Sequence, residues 1–357
     1  MAAATMGSGE FALPFIFYKS GWLLCLAYFV VLGGIIIGAQ IIYLRTLEKV
    51  DEKERLLGLA RKYFGSAGFW VGFFAIVIGL LLGFVIYLIL GTQFIRLLFP
   101  AIPGSWPLFI FWLFISLPVL IRSRRVTNFE TFGIMLVVVL IVFIFISAQT
   151  AAVQRAIPAS SVPDAFLPFG VILFSLAGWT GVEPIYEMRK KEKEKTRKDV
   201  WPLILGTAAA ALLYIMFAVG ILVSAPNIAS DTVSGLAGWP IWKRDLIAVL
   251  GLVALWTVSM PIAHEIRNAL EKDLKWNHIV SRLVIILVPL ALILSGFNNF
   301  LAIVGITGGL FLSVQYLLII SVGRKVLELP PAQKIFLTAA ALVFLVAAVY
   351  SVVVLVW

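Results

Sequence analysis

One cysteine, Cys25, and two histidines, His264 and His278, are all the thiols and imidazoles that 357 residues contain. A lone thiol excludes a disulfide framework and any cysteine-built metal site. His264-Glu265 begins like a zinc-protease helix, but Asn268 stands where the second histidine would be, so the match fails. Charge is scarce too: 13% of residues carry it, with 18 acidic side chains against 28 basic ones. No P-loop, nucleophile elbow or carboxylate-rich pair occurs. These absences argue against an enzyme, a metal site and a resident cofactor.

Apolar residues are what the chain has in excess. They make up 62% of it, and the mean hydropathy is +1.07. Such runs belong in a lipid bilayer. At about 20 residues per crossing, eleven apolar segments can be drawn. They lie near 1–18, 21–44, 68–95, 105–121, 131–150, 166–186, 201–224, 245–263, 280–296, 298–322 and 334–356. Residues 1–17 lack the basic start of a removable signal peptide. The expected fold class is therefore an all-α integral membrane protein with about eleven transmembrane helices.

The basic residues orient it. With the N-terminus inside and the spans alternating, 23 lysines and arginines fall on the inner side. Five remain outside: Lys19, Arg96, Arg155, Lys243 and Arg244. That asymmetry follows the positive-inside rule and places the N-terminus in the cytoplasm and the C-terminus outside. The net charge of +10 is thus a topology signal, and no nucleic-acid partner is needed to explain it. Between segments 2 and 3, Leu56, Leu59, Ala60 and Tyr63 recur at helical spacing, either a short amphipathic helix on the inner surface or a solvated linker. The outer stretch 225–245 is rich in Gly, Pro, Ser and Trp, either a lid over a vestibule or a long loop, with Asp231 open to the exterior.

Two segments cannot be plain lipid-facing helices. Gly7-Ser8-Gly9-Glu10-Phe11-Ala12-Leu13-Pro14 places two glycines, a carboxylate and a proline within eight residues. Five segments later comes Ser175-Leu176-Ala177-Gly178-Trp179-Thr180-Gly181-Val182-Glu183-Pro184. Both run small residue, glycine, spacer, glycine, glutamate, proline. Irregular backbone at membrane depth survives only where protein or a cavity supplies partners, and matched interruptions in two halves point to a transporter's binding site. Kinked packing helices are the blander reading. Glu10 and Glu183 are the proton-coupling candidates, because a carboxylate at that depth must be paired, protonated or facing a cavity. Ala254 and Thr257 share a helix face in segment 8, where a hydroxyl and carbonyls could hold a small cation; a threonine bonding back to its own helix is the alternative.

These residues resemble a known group. Gly7-Ser8-Gly9 with Ala12-Leu13-Pro14 looks like a signature of the amino acid/polyamine/organocation superfamily. Its amino acid/auxin and aromatic amino acid permease branch fits best, since many members have eleven spans. Phe169-Gly170-Val171 through Phe174-Ser175 and Gly178, then Glu187, a basic run and Trp201-Pro202, look like the same group's sixth helix and following loop.

The resemblance implies a LeuT-type fold: inverted five-helix repeats over 1–150 and 166–322, broken helices 1 and 6, and a peripheral eleventh helix at 334–356. It implies that a substrate carboxylate meets the amides of Gly7, Ser8 and Gly9. Its amine would meet carbonyls near Phe174, Ser175 and Gly178, with Trp179 beside the side chain. Sodium-coupled relatives use carbonyls matching Ala3 and Met6 together with Ala254 and Thr257; Val258 stands where a second hydroxyl is expected, which favours protons. Glu10 departs from the usual aliphatic residue. Only six residues precede Gly7, so the first half-helix is very short or begins upstream of this sequence. The favoured function is a plasma-membrane secondary transporter for an amino acid or related amine, of unspecified oligomeric state. A non-transporting nutrient sensor on the same fold is the alternative.

Overall fold

A chain crossing hydrocarbon must satisfy its own backbone, and a helix does so within each segment. In the computed structural model, which describes residues 5, 8–50, 55–120, 126–148, 156–192 and 199–356, all regular structure is helical and no strand occurs among those residues. Seven helices are long and apolar enough to cross: Trp22–Val50, Leu56–Leu98, Leu167–Lys190, Trp201–Ser224, Ile241–Asp273, Phe300–Val326 and Pro331–Val353. Three shorter apolar ones, Trp106–Leu117, Phe132–Ala148 and His278–Leu294, fill the gaps between them. The first span is a 3-10 turn, Gly9–Ala12, running into the helix Leu13–Ser20. Together these are the eleven expected spans, in order. Ala3, Met6 and Gly7 lie outside the described residues, as does Lys193–Lys198 of the basic run.

The long third segment is not one straight rod. Gly65, at φ +66°, takes a left-handed conformation that a side chain would resist, and it separates Leu56–Phe64 from the span proper. The short helix expected from Leu56, Leu59, Ala60 and Tyr63 is therefore present; Leu56, Leu59 and Ala60 are buried. Further along, Phe74–Ile78 forms a π-turn, and span 10 contains another at Thr307–Leu312.

Two contacts fix how the spans meet. A side chain on Gly170, in the first half of span 6, would stand 2.5 Å from the Gly305 carbonyl oxygen. The glycines thus let span 6 lie directly on span 10 beside its π-turn, as small residues do between membrane helices. At the same end of the bundle, the segment after span 5 is stitched to the hairpin between spans 1 and 2. Trp22 N–H donates to Pro158 O (3.1 Å), Ser161 N–H to Ser20 O (2.8 Å) and the Ser20 hydroxyl to Asp164 O (2.9 Å). Gly21, at φ +98°, makes the hairpin turn beneath them.

Candidate functional site

Both interrupted segments break as their glycines and prolines require. In span 1, Ser8 is a bend, Gly9–Ala12 is a 3-10 turn, and Pro14 enters the following helix at its first turn, where its missing N–H is harmless. In span 6 the helix Leu167–Leu176 ends at an extended Ala177. A 3-10 turn, Trp179–Gly181, then restarts the chain as Val182–Glu192. A helix that ends this way leaves its last carbonyls, those around Phe174 and Ser175, without helical partners. The Gly178 carbonyl already accepts the Gly181 N–H at 3.0 Å.

The two breaks touch. A methyl on Gly9 would lie 2.8 Å from the Ser175 Cα, so the span 1 turn rests on the end of the first half of span 6. Ser8, Gly9, Ser175 and Gly178 are buried together, with Phe174 half-buried. The Ser175 hydroxyl bonds back to Val171 O (2.9 Å), which leaves backbone as the polar surface it offers.

Glu10 lies in the turn with 2% of its surface exposed, and its Oε2 meets no hydrogen-bond partner. Tyr87 of span 3 faces both the Glu10 carboxyl and the Ser8 hydroxyl, although Ser8 Oγ reaches no partner in bonding geometry. Phe11 beside it is clasped edge-on by Phe94 and Phe217, at ring distances of 5.6 and 5.5 Å. On one side Tyr214 donates to Thr5 O (2.8 Å), fixing the chain just ahead of the break. On the other, the Thr232 hydroxyl donates to the Phe11 carbonyl. The stretch after span 7 is thus folded down onto break 1. That corrects one expectation: Asp231 is 7% exposed, its carboxylate held by the Ser234 N–H (2.9 Å) and hydroxyl (2.8 Å).

Trp179, the first residue of the turn in span 6, is buried. Its indole N–H donates to Gln315 Oε1 (2.6 Å), and its ring meets Tyr43 edge-on at 6.3 Å. Below it, toward the face that carries the basic loops, lies a charged clasp. Glu183 accepts from the Tyr43 hydroxyl (2.6 Å) and pairs with Arg55 (3.4 Å); Arg55 in turn holds Glu265 (2.9 Å). Partial burial works against the Arg55 charge, yet Glu265, Glu183 and Glu187 outweigh it and keep its pKa above the ordinary arginine value. The clasp joins span 6 to span 8 through the start of the segment leading into span 3. Arg189 pairs with Glu48 (3.1 Å) nearby.

Glu183 therefore does more than cap its turn. Arg55, Tyr43, Glu265 and Gln315 were not singled out from sequence. A signal existed for one of them, because polar Gln315 interrupts the apolar run 298–322, where such a group needs a reason. In segment 8 the Thr257 hydroxyl donates to the Ala254 carbonyl (2.9 Å), and its Cβ stands 2.6 Å from where a side chain on Gly133 would begin. No group of three or more His, Cys, Asp or Glu side chains that could hold a metal ion occurs among the described residues.

A family model described as "Transmembrane amino acid transporter protein" matches residues 1–357. The chain belongs to the transmembrane amino acid transporter family. It is a multi-pass membrane transporter rather than an enzyme. Among solved structures the family member is similar to MhsT in complex with L-phenylalanine, at 14% identity and a TM-score of 0.67, covering 98% of this chain and 97% of that one. It is also similar to the Eremococcus coleocola manganese transporter in complex with an aromatic bis-isothiourea substituted compound. There the identity is 13% and the TM-score 0.66, over 98% of this chain and 85% of that one. No curated protein sequence matches it. Identities this low speak for fold alone, and the fold is the LeuT type with helices 1 and 6 broken.

Proposed function

We propose that this transporter moves an amino acid or related amine across the plasma membrane by alternating access, coupled to protons rather than sodium. In this reading residues 1–150 and 166–322 are the inverted repeats and 334–356 a peripheral helix. The N-terminus and the basic face are cytoplasmic and the C-terminus external. The substrate sits where the two breaks meet. Its carboxylate meets the amides of Gly7, Ser8 and Gly9, its amine the carbonyls of Phe174, Ser175 and Gly178, and Trp179 forms the floor. The similarly folded MhsT, solved with L-phenylalanine, supports an amino acid as the ligand class.

The observation that carries this reading is Glu10: a buried carboxyl with one unpartnered oxygen, one residue from the contact between the breaks. A substrate carboxylate and an ionised Glu10 at the same end of one half-helix repel strongly in a dry site. A proton on Glu10 removes that repulsion, so proton and zwitterion travel together. Glu183, the other carboxylate considered, is already engaged by Tyr43 and Arg55. The bond from Thr257 to its own helix supports protons over sodium.

Uptake of labelled amino acids into proteoliposomes under imposed pH or sodium gradients tests the hypothesis. Zwitterion uptake should rise as external pH falls and ignore sodium, and Glu10→Gln should lose the pH dependence while retaining exchange. Ligand binding without flux in the wild type, or an unchanged pH profile in Glu10→Gln, would overturn it.

A further inference from the structure

We infer that Gln315 is the positioning residue of broken span 6: it latches Trp179 to span 3 and so keeps the basic-face half of the pathway closed. The inference rests on the alternating-access reading above. Trp179 is the first residue after the break, 2% exposed, and a buried indole N–H needs an acceptor. That acceptor is Gln315 Oε1 of span 10, at 2.6 Å. The other end of the same amide donates from Nε2 to the Ala75 carbonyl, at 2.8 Å, inside the π-turn of span 3. A carboxamide is suited to this place because it accepts at one end and donates at the other. One side chain thereby ties three spans at the point where span 6 resumes.

The neighbourhood is shaped to admit it. A side chain on Gly79 would begin 3.1 Å from Gln315 Nε2 and 3.0 Å from the Phe311 Cβ, so glycine there lets the glutamine reach the backbone. Isolated π-turns of this kind are frequent at functional sites. The Tyr43 ring stands edge-on to Trp179, and its hydroxyl leads on to the Glu183–Arg55–Glu265 clasp. The latch therefore sits between the candidate substrate site and the charged closure below it. Opening toward the basic face draws the second half of span 6 away from spans 3 and 10, and the Trp179–Gln315 bond must then break along with those that Tyr43 and Arg55 make to Glu183.

A cysteine reporter reads this without any substrate. Thr180, beside Trp179, is replaced by cysteine; the one native thiol, Cys25, is fully buried. An impermeant maleimide is applied to reconstituted protein separately from each face. Gln315→Leu removes the bond to Ala75 as well as the one from Trp179, and should accelerate labelling from the basic face at least about fivefold, the equivalent of losing the one bond that holds span 6, and leave the opposite face unchanged. Trp179→Phe removes the same bond from its other partner and should do the same. The double substitution should not exceed Gln315→Leu alone. Unchanged rates, acceleration from both faces, or additive effects would each overturn the inference. Should Gln315→Leu fail to reach the membrane, Trp179→Phe decides by the same criterion. Because labelling needs no flux, failure here is separable from failure of the amino acid reading, which uptake tests.

Discussion

At the residue scale the sharpest demand falls on Gly9. The site requires two broken helices in contact, and that contact exists because Gly9 has no side chain. Gly9→Ala places a methyl 2.8 Å from the Ser175 Cα, backbone that cannot swing aside. Overpacking of this kind costs about 1–3 kcal/mol, so uptake should collapse and thermal stability should fall modestly. Gly33 and Gly34, with nothing within 4 Å of an added methyl, are the controls; alanine at either should leave both readouts at wild-type values. Normal uptake by Gly9→Ala would show that the breaks need not touch. Tyr43→Phe deletes a 2.6 Å bond to the Glu183 carboxylate, and bonds to charged groups contribute about 1.5–3 kcal/mol. A lowered unfolding temperature in detergent checks it. The raised pKa of Arg55 means that its share of the clasp is fully present below its ordinary range and lost only on strong alkalinisation. Lysine would keep the charge near neutral pH but not the forked guanidinium that reaches both carboxylates, so Arg55→Lys should lower the unfolding temperature at pH 7.

At the element scale the segment after span 7 is the part most exposed to test. It makes a 3-10 turn at Val233–Gly238 and reaches break 1 through the Thr232 hydroxyl on the Phe11 carbonyl. Thr232 holds this pose at φ +57°, a conformation uncommon for a threonine. Those features fit a lid better than a slack loop. A cysteine at Asp231 should then label slowly from the side opposite the basic loops, and Thr232→Val should speed it, since valine keeps the shape and loses the bond. Fast labelling in the unmodified background would return this stretch to an ordinary loop.

At the scale of the whole molecule the question is which face is which. The helix through Ile241–Asp273 runs the thickness of the bundle, with exposed Trp242 at one end and exposed Lys272 at the other. In intact cells an impermeant thiol reagent should reach Trp242→Cys and leave Lys272→Cys untouched. The reverse pattern would invert the orientation drawn from the basic residues and place the Arg55 clasp on the outer side.

The sequence by itself determined the spans and their interruptions. Hydrophobic length is a local property, so eleven runs become eleven helical crossings. Gly178 and Pro14 act on their own backbones, so the breaks in spans 1 and 6 are local too. What the sequence could not decide was which polar groups meet. Arg55 joins Glu183 and Glu265 across 128 and 210 residues of separation, and Gln315 joins Ala75 across 240. Such pairings have no sequence period; they depend on which helix faces pack, and the packing is set by small residues such as Gly170 and Gly79 together with the rest of the bundle. The same holds for Asp231, which is polar and lies in a loop yet is buried, because the hydroxyl of the next residue, Thr232, bonds the distant Phe11 carbonyl and draws the loop down onto the break.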